Sequence, residues 1–245
     1  ICYHSLTNNI NLSRIELLNL LYALKYFKDC SLIFTYPNHD LDSEFINKNI
    51  NNFLKKNKIK INLFLDVGAH LGSYTNLILK NNSNCNSIMF EPQTDIFKKL
   101  KKLYKNKKNA TIFNYAISNK NGFKKLYVNQ HDLTSTFLKF NLNNRYLNYK
   151  AKLFNSTVIE MTKKIEIVKT KTIKNFISEK KIKKIDLIKI DTEGHELEVL
   201  VGIGKKINKV KYFLVEFHND RVYQSYKPRK IHNYLIKNNF VLKKI

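Results

Sequence analysis

Apolar positions along this chain recur with two alternating periods. Near the start the period is helical: Ser13 with Glu16 forms a capping box ahead of Leu17, Leu18, Leu21 and Leu24. After the break at Tyr36-Pro37-Asn38, a second helix is predicted over about 42–55, with Phe45, Ile46 and Phe53 on its inner side. From residue 61 the character changes. Ile61-Asn62-Leu63-Phe64-Leu65-Asp66-Val67 is a short apolar run closing on a glycine turn, the pattern of a strand buried on both faces of a parallel sheet. Tyr74, Leu77 and Ile78 then follow at helical spacing.

The alternation repeats. Strands are predicted at 87–90, 111–117 and 123–128, and Thr94 caps a helix with Phe97, Leu100, Leu103 and Tyr104 inward and lysines outward. Residues 129–162 form a polar, Asn-rich insertion with little periodicity. A strand at 164–170, a helix at 173–179 and a strongly apolar strand at 185–190 come next. A helix over 193–201 ends at Gly202, and strand 212–217, helix 231–237 and a closing strand at 240–244 complete the pattern. Strands alternating with helices imply βαβ units and an α/β, doubly wound, mostly parallel sheet with helices on both faces. The division expected is a short helical N-terminal extension over 1–58 and one domain over 59–245. In such folds the ligand lies at the carboxyl ends of the strands.

Composition narrows the classes. The 245 residues carry 44 Lys+Arg against 19 Asp+Glu, a net charge of +25, with 43% hydrophobic residues, six Gly and three Pro. The apolar fraction excludes a wholly disordered chain, and the low Gly+Pro count excludes collagen-like repeats. No uncharged apolar run approaches the roughly 18 residues that span a bilayer; the longest, 17–27, contains Asn19 and Lys25. The chain opens at Ile1 rather than Met, which leaves room for an upstream targeting segment. Cys2, Cys30 and Cys85 show neither a disulfide framework nor a zinc spacing, pointing to a reducing, cytoplasmic setting. The charge calls for an anionic partner, nucleic acid among them, yet the lysines are spread along the chain and arginine is scarce, as an AT-rich genome would produce.

The chemistry gathers at the strand ends. Asp66-Val67-Gly68-Ala69-His70-Leu71-Gly72 is a strand, a tight turn and a helix start. Counted from Gly68, a dinucleotide fingerprint would need further glycines where His70 and Ser73 stand. A methyltransferase loop, acidic residue then glycines two, four and six residues later, is matched by Asp66, Gly68 and Gly72, with His70 in the middle glycine's place. The next strand ends Phe90-Glu91-Pro92, where a carboxylate can accept both ribose hydroxyls of a nucleoside cofactor, while Asp66 is placed to meet its cationic amino-acid end. Downstream, Lys189-Ile190-Asp191-Thr192-Glu193-Gly194-His195-Glu196 turns a buried strand into a helix. Glu193 and Glu196 suit a helix N-terminus as simple caps; Asp191 follows a strand too apolar to be exposed, which marks it as functional.

These residues resemble the FkbM-type class I S-adenosylmethionine-dependent methyltransferases from about residue 59 onward. The likeness rests on Asp66–Gly72, Phe90-Glu91-Pro92, Ala116-Ile117-Ser118, the segment Ile188–Glu196 and Leu214-Val215-Glu216-Phe217-His218. It implies a Rossmann-like fold and methyl transfer from S-adenosylmethionine to a hydroxyl of a sugar, glycan or small metabolite. On that reading Asp66, Gly68, Ala69, His70 (through its backbone), Gly72 and Glu91 hold the cofactor, with Ala116 and Ser118 beside the adenine. Asp191 and Glu193 stand at the reacting end, with His218 as a second base. The insertion around His131, Asp132 and Thr134–Thr136, with Arg145 and Tyr146 beyond, lies near the acceptor. No metal-ligand spacing is present, and none is assigned. Two alternatives stay open: ribose methylation of RNA, motivated by the charge, and a non-catalytic basic module on the same fold.

Overall fold

The computed structural model describes residues 31–36, 52, 54–130, 134–153, 155–216 and 222–242. One sheet has seven strands: β1 (Ser31–Tyr36), β2 (Leu63–Val67), β3 (Asn86–Phe90), β4 (Ala110–Phe113), β8 (Ile185–Ile190), β9 (Val210–Glu216) and β10 (Phe240–Leu242). Their order is β10-β1-β9-β8-β2-β3-β4, and every neighbouring pair runs parallel. Among the described residues, six α-helices accompany them: α1 (Ser73–Asn81), α2 (Thr94–Leu103), α3 (Arg145–Leu153), α4 (Ile173–Glu179), α5 (Glu196–Val201) and α6 (Pro228–Lys237). The α/β, Rossmann-like reading holds. Strand β8 is central and buried at all six positions, the consequence of cover on both faces. Its main cluster gathers Leu65, Phe90, Phe176, Ile188, Leu200 and Phe213 on one side of the sheet. A second cluster with Phe64, Ile78, Leu187 and Leu214 covers the other.

A burial pattern this complete forces the polar residues of β8 to find partners. Asp186 accepts hydrogen bonds from the backbone N–H groups of Asn62 (2.9 Å) and Leu63 (3.2 Å), which pins the start of β2 beside β8. Lys189 finds its partners at the opposite end, where the cleft opens.

Four expectations change. Strand β1 falls within the stretch expected to be helical; it pairs with β9 and β10 inside the main sheet. The helices expected over 13–24 and most of 42–55 lie outside the described residues. The strands predicted near 123–128 and 164–170 leave the main sheet: β5 (Ala116–Ile117), β6 (Gly122–Asn129) and β7 (Thr162–Lys171) form a separate sheet, order β5-β7-β6, with β6 antiparallel to β7. The insertion holds α3, whose Leu147 and Ala151 pack with Phe140, Val158 and Tyr223; two apolar positions in a polar segment are too few to show a period. Finally, α5 begins at Glu196 rather than Glu193, because Glu193 (φ 53°) and Gly194 (φ 98°) are left-handed and cannot enter a right-handed helix.

Candidate active site

The carboxyl ends of β2, β3 and β8 open into a solvent-connected cleft. Its floor is Val67, Gly68 and His70; one side is Phe90 to Gln93; the opposite side is Asp191, Thr192 and Glu193. The small sheet closes the third side with Ala116, Ile117 and Leu126, and the insertion reaches in with Ser135 and Phe137. Gly68 (φ 77°) makes this convergence possible, since a Cβ there would come within 1.8 Å of the Asp191 carbonyl oxygen.

On the β3 side, Glu91 is 2% exposed and receives two backbone donors: His70 N–H to Oε2 at 2.9 Å and Gln93 N–H to Oε1 at 2.8 Å. Burial pushes its carboxyl up to about 7, against the pull of those two amides. Each oxygen keeps acceptor capacity for a hydroxyl in the cleft. Gln93 is buried beside it and accepts a hydrogen bond from Ser135 Oγ at 3.0 Å, tying the insertion to this wall. No sequence motif flags Gln93.

On the β8 side the organising group is Lys189, buried at 3% exposure. Its ammonium donates to the Gly68 carbonyl at 2.8 Å, and lies 3.0 Å from Asp191 Oδ2 and 3.4 Å from Asp66 Oδ1. Burial alone would lower its pKa, but the Asp191 and Asp66 charges outweigh it and hold the ammonium above its ordinary range. Glu216, at the end of β9, is pushed well above the carboxylate range by burial and then by the charges of Asp191 and Glu193; it shares a hydrogen bond with Asp191. Asp191 thus stands between the Lys189 ammonium and the Glu216 carboxyl, whose ionisation burial opposes. Glu193 lines the cleft with its carboxylate accepting from the Tyr223 hydroxyl and its carbonyl from Thr136 Oγ1 at 2.5 Å.

Four residues expected to hold the cofactor stand behind the wall rather than on it. Asp66 is wholly buried, accepting from Thr75 Oγ1 at 2.8 Å and facing Lys189, so it does not reach a ligand's cationic end directly. The strand's side-chain alternation explains this, because Val67 rather than Asp66 faces the cleft. Ala69 packs against Met89, Leu100 and Tyr104. Gly72 (φ 79°) caps α1 and its carbonyl accepts from the Tyr104 hydroxyl at 2.6 Å. Ser118 is buried in a 2.9 Å hydrogen bond with His195 Nε2, beneath the adenine position expected for it. Burial drives the His195 pKa down to about 3, so this pair is neutral structure. Gly68, His70, Glu91, Ala116, Asp191 and Glu193 do line the cleft. His218, His131 and Asp132 lie outside the described residues.

Glu196 acts as more than a terminal cap. Its Oε1 accepts from the Thr192 N–H, the Thr192 hydroxyl and the Gly194 N–H, at 3.0, 2.9 and 3.0 Å, so a fully buried carboxylate holds the loop that carries Asp191 and Glu193. Among the described residues no group of three or more His, Cys, Asp or Glu is arranged to hold a metal ion, and no helix is long and apolar enough to cross a membrane.

The family model described as "Methyltransferase FkbM domain" matches residues 66–242. An epimerase of Campylobacter jejuni, named for GDP/UDP-N,N'-diacetylbacillosamine, is 39% identical over 69 residues, 28% of this chain and 18% of that protein; the match spans under a fifth of the relative's length. Among solved structures, an O-methyltransferase from Bacillus cereus in complex with SAH aligns over 96% of this chain and 83% of its own, with 10% identity and a TM-score of 0.43. A coclaurine N-methyltransferase bound to N-methylheliamine and SAH aligns over 40% and 35%, with 12% identity and a TM-score of 0.25. The chain belongs to the methyltransferase FkbM domain family. Membership bears out the expectation of a methyltransferase using S-adenosylmethionine.

Proposed function

We propose that this FkbM-domain methyltransferase moves a methyl group from S-adenosylmethionine to a hydroxyl of a sugar, glycan or small metabolite. One observation carries the reading: a single cleft holds Glu91 on backbone amides at one wall and Asp191 on the Lys189 ammonium at the other. The residues present fit the donor. Glu91 has acceptor capacity for the ribose hydroxyls, and Ala116, Ile117, Leu126 and Phe137 offer an apolar wall to the adenine. The glycine turn at Gly68 leaves backbone close to the ligand. When bound, S-adenosylmethionine supplies an electrophilic methyl group on a sulfonium centre.

The protein's part is to align an acceptor oxygen, exclude water and take a proton. Asp191 receives the hydroxyl's proton as the new carbon–oxygen bond forms, while Lys189 and Glu216 fix its carboxylate. Glu193, oriented by Tyr223, holds a neighbouring hydroxyl of the acceptor. The 69-residue likeness to an enzyme named for a nucleotide-linked sugar lies in the same direction. The free, buried thiol of Cys85 supports a reducing compartment such as the cytoplasm.

The test is transfer of labelled methyl from S-adenosylmethionine across panels of sugar, nucleotide-sugar, lipid and nucleoside acceptors. Labelling of a sugar hydroxyl, lost about 10²-fold or more in Asp191→Asn while donor affinity persists, is the expected result. Labelling confined to RNA ribose, or to a nitrogen, overturns the acceptor; no donor binding in any condition overturns the reading whole.

A further inference from the structure

The small sheet has two faces of opposite character. Its strands β6 and β7 pair in the register Phe123↔Lys169, Lys125↔Ile167 and Tyr127↔Ile165. The alternate residues turn inward, where Leu126, Val128 and Val168 are buried with Ala116 and Leu126 reaches the cleft wall. The six residues of those three pairs point the other way. Phe123, Ile167 and Ile165 are 73%, 64% and 54% exposed, interleaved with the exposed Lys125 and Lys169. None of the six is acidic.

We propose that this outward face docks the enzyme on an anionic lipid surface. A solvated sheet face should alternate to polar residues, and contiguous large apolar side chains set among charges mark a binding surface. The charge pattern selects the occupant. A second copy would bring lysines against lysines with no carboxylate among the six to answer them; Glu166 of β7 lies on the other face, paired with Lys164. Nucleic acid would gain from arginine and stacking rings, whereas two of the three most exposed apolar residues are isoleucines. An anionic bilayer interface satisfies both halves of the pattern: Phe123, Ile165 and Ile167 enter the boundary between headgroups and acyl chains, and the two ammonium groups meet lipid phosphates. Because the inner side of the same ribbon is a wall of the cleft, docking would hold the cleft about one sheet thickness, ~10 Å, from the surface.

The readout is binding alone, so the outcome is independent of the methyl-transfer reading. The 245-residue chain is floated with vesicles of phosphatidylcholine alone and of an equal mixture with phosphatidylglycerol. The chain should float with the mixed vesicles and stay behind with the neutral ones. Phe123→Ser/Ile167→Ser keeps the charge and should cut partitioning about tenfold or more. Lys125→Glu/Lys169→Glu should do the same, at about fivefold per lysine. Lys55→Glu/Lys56→Glu, an equal charge change on two exposed lysines ahead of β2, should leave most of it. Circular dichroism melts confirm that each variant folds. Equal losses from both charge-reversed pairs, or parent-like binding by the serine variant, overturn the proposal. So does a dimer abolished by the serine substitutions, or retention on an acidic polypeptide without retention on vesicles.

Discussion

Glu91 and Asp191 follow the two strands that flank β2, and both face one cleft, yet they are held by different means. Two backbone amides hold Glu91, with its carboxyl pushed up to about 7 by burial. A buried ammonium holds Asp191 at 3.0 Å. Amides orient a carboxylate without cancelling its charge, so Glu91 suits recognition of neutral hydroxyls, which favour its ionised form. An ion pair fixes charge as well as direction; the function proposed above gives Asp191 the acceptor's proton. On the function proposed above, one wall serves the donor and the other the acceptor, and Lys189 reaches between them to the Gly68 carbonyl.

The largest expected effect comes from removing that join. Lys189→Met leaves the wholly buried Asp66 without its countercharge and should cost about 3–5 kcal/mol in urea unfolding. A cost near zero would mean that the two walls are independent. Next comes the pH dependence of donor binding, followed by calorimetry. Below about 7 Glu91 holds its proton in the unliganded protein, whereas ribose hydroxyls need its carboxylate. Affinity should therefore rise with pH, by up to about tenfold per unit, and level off above about 7. Glu91→Gln should flatten that profile and Asp191→Asn should leave it; the reverse result would exchange the two walls. The smallest effect tests a residue behind the wall. Ser118→Ala deprives His195 Nε2 of its hydrogen-bond partner and should cost about 1 kcal/mol of stability with little change in donor affinity.

The parts of the site that follow chain order were legible. Strand β8 announces itself because six consecutive buried positions leave an uninterrupted apolar run, and Asp191 is conspicuous at its end. Gly68 and Glu91 stood out for the same reason. What stayed hidden are the inward partners of such strands. With both faces buried, side-chain alternation no longer tells the cleft from the core, so the roles of Asp66 and Lys189 could not be separated by pattern. Backbone donors such as the His70 and Gln93 amides carry no residue signature at all. Tyr223 meets Glu193 only through tertiary folding, and its bond forms 30 positions along the chain.

Strand β1 sets a constraint on how the molecule is made. It lies between β9 and β10, so among the described residues β10 pairs only with a strand that precedes it by about two hundred residues. That pairing closes a long loop and adds nothing until β9 has arrived, which makes the far edge of the sheet the slow step of assembly. A fragment cut at residue 58 would keep the whole cleft wall yet lose the strand that seats β10, leaving β9 as a bare edge able to pair with other chains. Such a fragment should bind its ligand when freshly refolded and aggregate on standing.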